Sequence, residues 1–338
     1  MHIAAMTCNR PVRPPYDPEI AMNLKDRPLG KTPDSVEIIM QLRQAELESD
    51  GEKARVSHVR DNPDINEHEL TLPGPRGSLK AHKLEPSNLS STDGPRPCMV
   101  FFHGGGMVLG TPYFGIAAVS HIVPALGIII LSVDYGRAPE CKGTELTEDC
   151  YVALEWASQN ASSLNIDASR IMVAGVSAGG GLAAATALMA RDRQGPKICA
   201  QLLICPMLDD RCATLSCQQF ETGPVFNTAW GRKGWAWVVG DETTKDRVSE
   251  YAAPGRATDL SGLPEAYLDV GSAEVFREEV VAYARKLWQA GVQAHLHVWG
   301  GGCHGFDSFE EPSKLATFST KNRDLWIAKV FNENYIPI

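Results

Sequence analysis

Three glycine-flanked stretches carry the side chains best suited to chemistry. In Gly175-Val176-Ser177-Ala178-Gly179 a serine sits directly after the apolar run 171–174 and ahead of a helical stretch that starts at Ala178. So tight a strand-to-helix turn strains the serine and lifts its hydroxyl clear of the sheet. The helix N-terminus behind it favours developing negative charge. In an ordinary loop the same pentapeptide would mean little; the strand before it and the helix after it make Ser177 a candidate nucleophile. His103-Gly104-Gly105-Gly106 follows the apolar run 98–102. Its spacing fits neither a dinucleotide fingerprint nor a P-loop. Glycines here let backbone N–H groups converge on an oxyanion, where removing one donor costs about 3–4 kcal/mol of transition-state stabilisation. His103 itself reads as a structural histidine that pins this loop.

The third stretch, Gly300-Gly-Gly-Cys303-His304-Gly305-Phe306, follows the apolar run 295–299. A histidine on such a loop reaches a serine presented at the same sheet edge, so His304 is the candidate base. His2, His58, His68, His82 and His121 have no comparable setting. His295 and His297 lie two apart on a strand and share one face. A metal pair there lacks a third ligand, so both read as strand-surface residues. Cys303 reads as a small loop filler. A serine–histidine pair needs a carboxylate to orient the imidazole. Glu274 stands just past the run 265–270 and precedes His304, which gives the chain order serine, acid, histidine. Asp269 falls inside the strand, and Glu278 and Glu279 look like solvated helix surface. Glu274 is favoured, with Asp209 or Asp210 as the fallback.

These residues need elements that bring them to one edge. Short apolar runs at 98–102, 128–133, 171–174, 200–204, 265–270 and 295–299 alternate with helical stretches at 145–159, 178–191 and 275–290. Continuous rather than alternating apolar strands mean a sheet covered on both faces, hence a mostly parallel α/β sheet. Ahead of it, 67–72 and 79–84 read as two strands joined by a turn-rich Pro-Gly segment. Residues 206–260 contain no clear strand but carry Phe220, Phe226, Trp230, Trp235 and Trp237, and read as a helical insertion. Residues 1–60 read as a polar, partly helical lead-in, with a helix expected over 35–48. The expected division is a cap made of 1–60 and 206–260, and a catalytic core made of 61–205 and 261–338.

The bulk properties set limits. The chain has 338 residues, 43% of them hydrophobic, with 32 basic against 41 acidic side chains and a net charge of −9. That length buries an ample core without disulfides or metals. The acidic balance argues against a nucleic-acid partner. The first thirteen residues hold no apolar run suited to a signal peptide, and the longest apolar stretch, 123–133, contains Pro124 and is too short to span a bilayer. Nine cysteines without paired spacing read as reduced thiols, and the expected location is cytoplasmic.

With these residues in place, the chain from His68 onward resembles the hormone-sensitive-lipase-like (GDXG lipolytic) branch of the α/β-hydrolase esterases. The resemblance rests on the His103–Gly106 loop, the Ser177 turn, Asp259-Leu-Ser-Gly-Leu-Pro264 ahead of the acid strand, and His304-Gly-Phe-Asp307. Val176 and Gly181 stand where that family usually carries Asp and Asn, and Glu274 where it more often carries Asp. The resemblance implies an α/β-hydrolase fold with a helical cap. It also implies Ser177 as nucleophile, His304 as general base and then acid, and Glu274 as their partner. Backbone N–H groups of Gly105, Gly106 and Ala178 would form the oxyanion hole. The expected activity is hydrolysis of a small to medium apolar ester through an acyl-enzyme, with no cofactor and no metal. A deacetylase, lactonase or thioesterase with the same three residues is the alternative, and a non-catalytic small-molecule receptor a further one. A homodimer is left open, since an exposed edge strand could pair with a second copy.

Overall fold

The computed structural model describes residues 11–27, 32–89, 94–240, 247–309 and 311–332. Its centre is an eight-stranded sheet: β1 (Ile65–Gly74), β2 (Gly77–Pro86), β3 (Arg96–Phe102), β4 (Ile129–Asp134), β5 (Ile166–Val176), β6 (Ala200–Ile204), β7 (Glu265–Gly271) and β8 (Ala294–Trp299). The spatial order is β1-β2-β4-β3-β5-β6-β7-β8. The β1–β2 and β2–β4 pairs are antiparallel, and every pair from β4 to β8 is parallel. Eleven α-helices are described: α1 (Pro18–Leu24), α2 (Val36–Glu48), α3 (Asp50–Arg60), α4 (Ile122–Leu126), α5 (Glu145–Gln159), α6 (Ala161–Leu164), α7 (Ala178–Asp192), α8 (Leu215–Gln219), α9 (Thr228–Val239), α10 (Arg277–Gln289) and α11 (Lys314–Phe331).

Strand alternation divides the core between the two faces. Cys98, Val100 and Phe102 of β3 join Leu131, Val173, Leu203 and Leu268 beneath α5, α7 and α10, which supply Leu154, Leu182, Leu188 and Leu287. Met99 and Phe101 point the other way, towards Ile130, Met172, Leu202 and Tyr267, and meet Val59, Ile122, Trp326 and Ile327 of α3, α4 and α11. Each such fully buried aliphatic or aromatic side chain contributes about 1.5–3 kcal/mol by leaving water. With both faces covered, β3, β6 and β7 are buried almost throughout, while the edge strand β8 stays half-exposed.

Two differences from the sequence reading have local causes. β5 begins at Ile166, because its first half carries the polar Asp167, Ser169 and Arg170 and pairs only with the start of β3. The lead-in holds two helices beyond the expected one. α1 is capped by Asp17, whose carboxylate accepts the Glu19 N–H, and α3 by Ser49, whose hydroxyl accepts the Glu52 N–H. The lead-in also touches the 206–260 stretch: Trp237 Nε1–H donates to Pro33 O at 2.8 Å, and Lys233 pairs with Asp34 at 3.2 Å. Among the described residues no helix is long and apolar enough to cross a membrane.

Candidate active site

Ser177 occupies the turn between β5 and α7 with φ 57° and ψ −117°, a backbone conformation that only its surroundings can hold. Its N–H donates to Ile204 O at 2.8 Å, and its carbonyl accepts from Met207 N at 2.9 Å and Gly181 N at 3.1 Å. The end of β6 therefore braces the turn. Side chains would not fit beside it: a Cβ on Gly179 would lie 1.9 Å from Phe102 O, and one on Gly175 would lie 2.2 Å from Gly179. The two glycines let the start of α7 sit against the end of β3.

His304 follows β8 and turns back over the same strand ends. Its Nε2 lies 2.9 Å from Ser177 Oγ, and its Nδ1 lies 2.7 Å from Glu274 Oε2. The Glu274 side chain is fully buried and the imidazole nearly so. The loops carrying these two residues are laced together. Ala273 N–H donates to Gly302 O, Ser272 N–H to Trp299 O, and Gly301 N–H to Ser272 Oγ. Phe226 and Phe276 flank the imidazole with ring centres 5.3 and 5.2 Å away. With Nδ1–H donating to the carboxylate, Nε2 is left as an acceptor for the serine hydroxyl. This arrangement can move a proton off Ser177 and hold the resulting imidazolium beside a carboxylate.

Gly105, Gly106 and Ala178 sit at the same strand ends. No group among the described residues accepts from their backbone N–H groups. His103 is buried beneath this loop. It lies stacked on Tyr135 at 4.2 Å, with Nδ1 2.7 Å from Gly104 O, while Tyr135 OH donates to His103 O at 2.8 Å. Burial, helped by Arg137, pushes its imidazole down to about 3, so it stays neutral and holds the loop in place. Between pH 6.5 and about 3 the unfolded chain binds a proton on His103 that the folded chain does not, so stability falls as pH falls. His103→Gln is expected to flatten the fall by about 1.4 kcal/mol per pH unit. Urea unfolding at pH 6.5 and 4.5 measures it; equal slopes in the two proteins would remove His103 from the account.

The other candidates lie elsewhere. Asp269 pairs with Arg323, Asp209 with Arg211, and Asp210 with Arg256. None of these carboxylates bonds to His304. Glu279 is not solvated surface. Its carboxylate is buried and accepts the Leu208 N–H at 2.7 Å, and burial pushes its pKa well up. The chain leaving β6 folds back over the first turn of α10 and shuts water out there. Cys303 is buried with Ile20, Leu24 and Phe306, its thiol pushed up by burial to about 12. His297 stacks between Tyr267 and Trp299, and His295 packs near Trp326 of α11.

Trp230 is a site neighbour that the sequence reading left unplaced. Its ring lies on the Gly104–Gly106 loop, so close that a Cβ on Gly106 would be 2.1 Å from Trp230 Cζ3. Gly234, one turn further along α9, lets the helix approach Gly106 O. The aromatic richness of 206–260 signalled an apolar surface but not what it faces.

Residues 99–308 match the family model for the alpha/beta hydrolase fold. Esterase LipI of Mycobacterium tuberculosis (strain ATCC 25618 / H37Rv) is 30% identical over 289 residues, covering 83% of this chain and 89% of that protein. An arylesterase of Saccharolobus solfataricus is 32% identical over 223 residues, or 65% of this chain and 71% of that one. Among solved structures, a bacterial heroin esterase aligns with a TM-score of 0.85 at 32% identity, covering 94% of this chain and 98% of that chain. A hyperthermophilic esterase from the archaeon Pyrobaculum calidifontis aligns at 0.79 and 29% identity, with 93% and 98% covered. With the sheet order, the strand-end loops and a family match over more than half its length, the chain belongs to the α/β-hydrolase fold family.

Proposed function

We propose that the chain is a serine carboxylic-ester hydrolase acting on small to medium apolar esters. The observation that carries this reading is the unbroken relay from Ser177 Oγ through His304 to Glu274, at 2.9 and 2.7 Å. Ser177 Oγ attacks the ester carbonyl carbon as its proton passes to His304 Nε2. The carbonyl electron pair moves onto oxygen, where the N–H groups of Gly105, Gly106 and Ala178 receive it. Collapse of this intermediate breaks the bond to the leaving alkoxide, which takes the proton from Nε2. Water then attacks the acyl-enzyme by the same path in reverse, releasing the acid and restoring the serine hydroxyl. Glu274 holds the imidazole in the productive tautomer throughout.

The aromatic wall of Phe226, Trp230 and Phe276 supports an apolar substrate. Relatives named as an esterase and an arylesterase support ester hydrolysis. In this proposal residues 1–60 and 206–260 act as the cap over the strand ends. The eight described cysteines are free thiols, which supports a cytoplasmic setting. The deciding experiment treats the folded protein with a fluorophosphonate and maps the adduct. Labelling of Ser177 with parallel loss of p-nitrophenyl acetate hydrolysis is expected; a folded protein that hydrolyses no ester and takes no label would overturn the reading.

Trp230 narrows the space beside the proposed oxyanion hole. Trp230→Ala is therefore expected to raise kcat/KM for hexanoate relative to acetate by about tenfold, the scale of a few poorly accommodated methylenes. Rates across p-nitrophenyl esters of increasing acyl length measure it. An unchanged ratio would place the limiting wall elsewhere.

A further inference from the structure

The loop proposed to hold the oxyanion is itself held from outside the sheet. Gly105, Gly106, Met107 and Gly110 all have positive φ, at 112°, 62°, 64° and 95°. A backbone of this shape has no ladder to stiffen it. Within the loop, Gly105 O accepts from Val108 N and Leu109 N. The segment after β4 holds it from one side, with Ala138 N–H donating to Met107 O at 2.9 Å and Arg137 donating to Gly110 O; α2 and α3, a segment far away in sequence, hold it from another.

Arg43 on α2 donates through Nε to Val108 O at 2.8 Å and through Nη2 to Ala138 O at 2.6 Å. Its Nη1 pairs with Glu140 at 2.7 Å. One turn later Glu46 accepts the Gly110 N–H at 3.0 Å. On α3, Glu52 accepts the Thr111 hydroxyl. Arg55 ties the two carboxylates together, at 2.8 Å to Glu52 and 3.4 Å to Glu46. Its guanidinium also lies 4.9 Å from the centre of the Phe114 ring, and that ring packs on Gly104. Arg43 and Glu46 therefore grip the backbone just past Gly105 and Gly106, one by a carbonyl and the other by an N–H. Displacing either end of so short a turn rotates the peptide planes between them. Oxyanion donors act only when fixed within a few tenths of an ångström before the charge develops.

We propose that Arg43 and Glu46 are positioning residues of the oxyanion hole, through which the N-terminal helices set the aim of the Gly105 and Gly106 N–H groups. The proposal rests on the serine ester hydrolase reading. It makes the lead-in part of the catalytic apparatus as well as a cover over it. Neither residue touches Ser177 or His304, so the effect must fall on stabilisation of the tetrahedral intermediate. Proton transfer and acyl-pocket binding should be left alone.

The test compares Arg43→Met, Glu46→Leu and Glu46→Gln with the unsubstituted chain, each confirmed folded by circular dichroism. Arg43→Met and Glu46→Leu are expected to lower kcat on p-nitrophenyl acetate by about 10- to 100-fold with KM within twofold, a partial loss of oxyanion stabilisation. Affinity for a trifluoromethyl ketone, which forms the tetrahedral adduct, should fall in proportion. Affinity for a ground-state competitor of the same shape should not. Glu46→Gln keeps an oxygen for the Gly110 N–H and should stay within about threefold of the original. If Glu46→Leu or Arg43→Met fails to fold, Glu46→Gln and Arg43→Lys, which keeps the charge on a single donor nitrogen, carry the comparison. For Arg43→Lys a kcat loss matched in ketone affinity is then required. Folded variants that lose melting temperature but keep kcat and ketone affinity would reduce the two residues to holding the helices down. Ser177 labelling in the unsubstituted chain separates failure of this proposal from failure of the reading beneath it.

Discussion

Ser177→Ala and His304→Ala are each expected to lower kcat on p-nitrophenyl acetate by about 10⁶-fold, and Glu274→Gln by about 10⁴-fold. The ranking follows from the relay. Without the hydroxyl no acyl-enzyme can form, and without the imidazole the hydroxyl keeps its proton. Either loss removes the whole covalent route. The double variant should therefore be no slower than the worse single one. Residual turnover then reports what substrate binding and the proposed oxyanion donors Gly105, Gly106 and Ala178 contribute together. Glu274→Gln differs because it leaves shape and burial alone. Its amide can present N–H to Nδ1, which forces the proton onto Nε2 and removes the acceptor that faces Ser177 at 2.9 Å. Glu274→Asp tests distance instead of charge. Shortening the side chain by one methylene opens the 2.7 Å contact with Nδ1 and should cost about 10²-fold, the scale of a 1 Å misplacement. Steady-state rates on purified variants, with fluorophosphonate labelling of Ser177 as a second readout, give the series. A Glu274→Gln variant at full activity would hand the orienting role to another group.

The juxtaposition of Ser177, Glu274 and His304 was legible because each falls in a loop just past a parallel strand, and parallel strands present all such loops at one edge. Those strands were legible in turn because burial on both faces removes polar residues from them. Where burial is one-sided the signal fades. The first half of β5 is polar, and α3 carries Val56 and Val59 among charged neighbours; its anchorage comes from the Ser49 cap and from partners on other elements. Glu279 illustrates the limit more sharply. A glutamate in a helix's first turn reads as solvated until another segment lies over it, and here that segment is the chain around Leu208. The choice of Glu274 over Asp209, Asp210 and Asp269 rested on its place just past the strand 265–270, since all four lie between Ser177 and His304 in chain order. What settles the neighbours is three arginines, Arg211, Arg256 and Arg323, whose placement no local pattern encodes. The grip of Arg43 and Glu46 on the glycine loop is of the same kind: it joins residues more than 60 positions apart.

Arg323→Met is expected to destabilise the fold by about 3–5 kcal/mol, the scale on which stripping one partner from a buried ion pair is felt. Arg323 is 1% exposed, and its Nη2 reaches Asp269 at 3.0 Å and Asp307 at 2.5 Å. The two aspartates hold less than a tenth of their side-chain surface in water. Methionine fills much the same volume but leaves both carboxylates facing each other without a cation. Burial already pushes Asp269 upward, and without the guanidinium it should titrate well above its unfolded value. A group raised on folding loses stability as pH rises through its folded value, so the deficit should be largest at pH 7 and shrink towards pH 5. Urea unfolding of both proteins at the two pH values measures it; a deficit that does not vary with pH would mean the aspartates are not the cause. Adding Asp269→Asn and Asp307→Asn removes the stranded charges and should recover most of the stability. The triple variant also separates two roles. Asp307 stands three residues beyond His304, so the ion pair ties the histidine loop to α11 as well as stabilising the core. If stability returns while kcat stays low, the charge is there to hold His304 against Ser177. If both return, neutral packing holds the loop equally well.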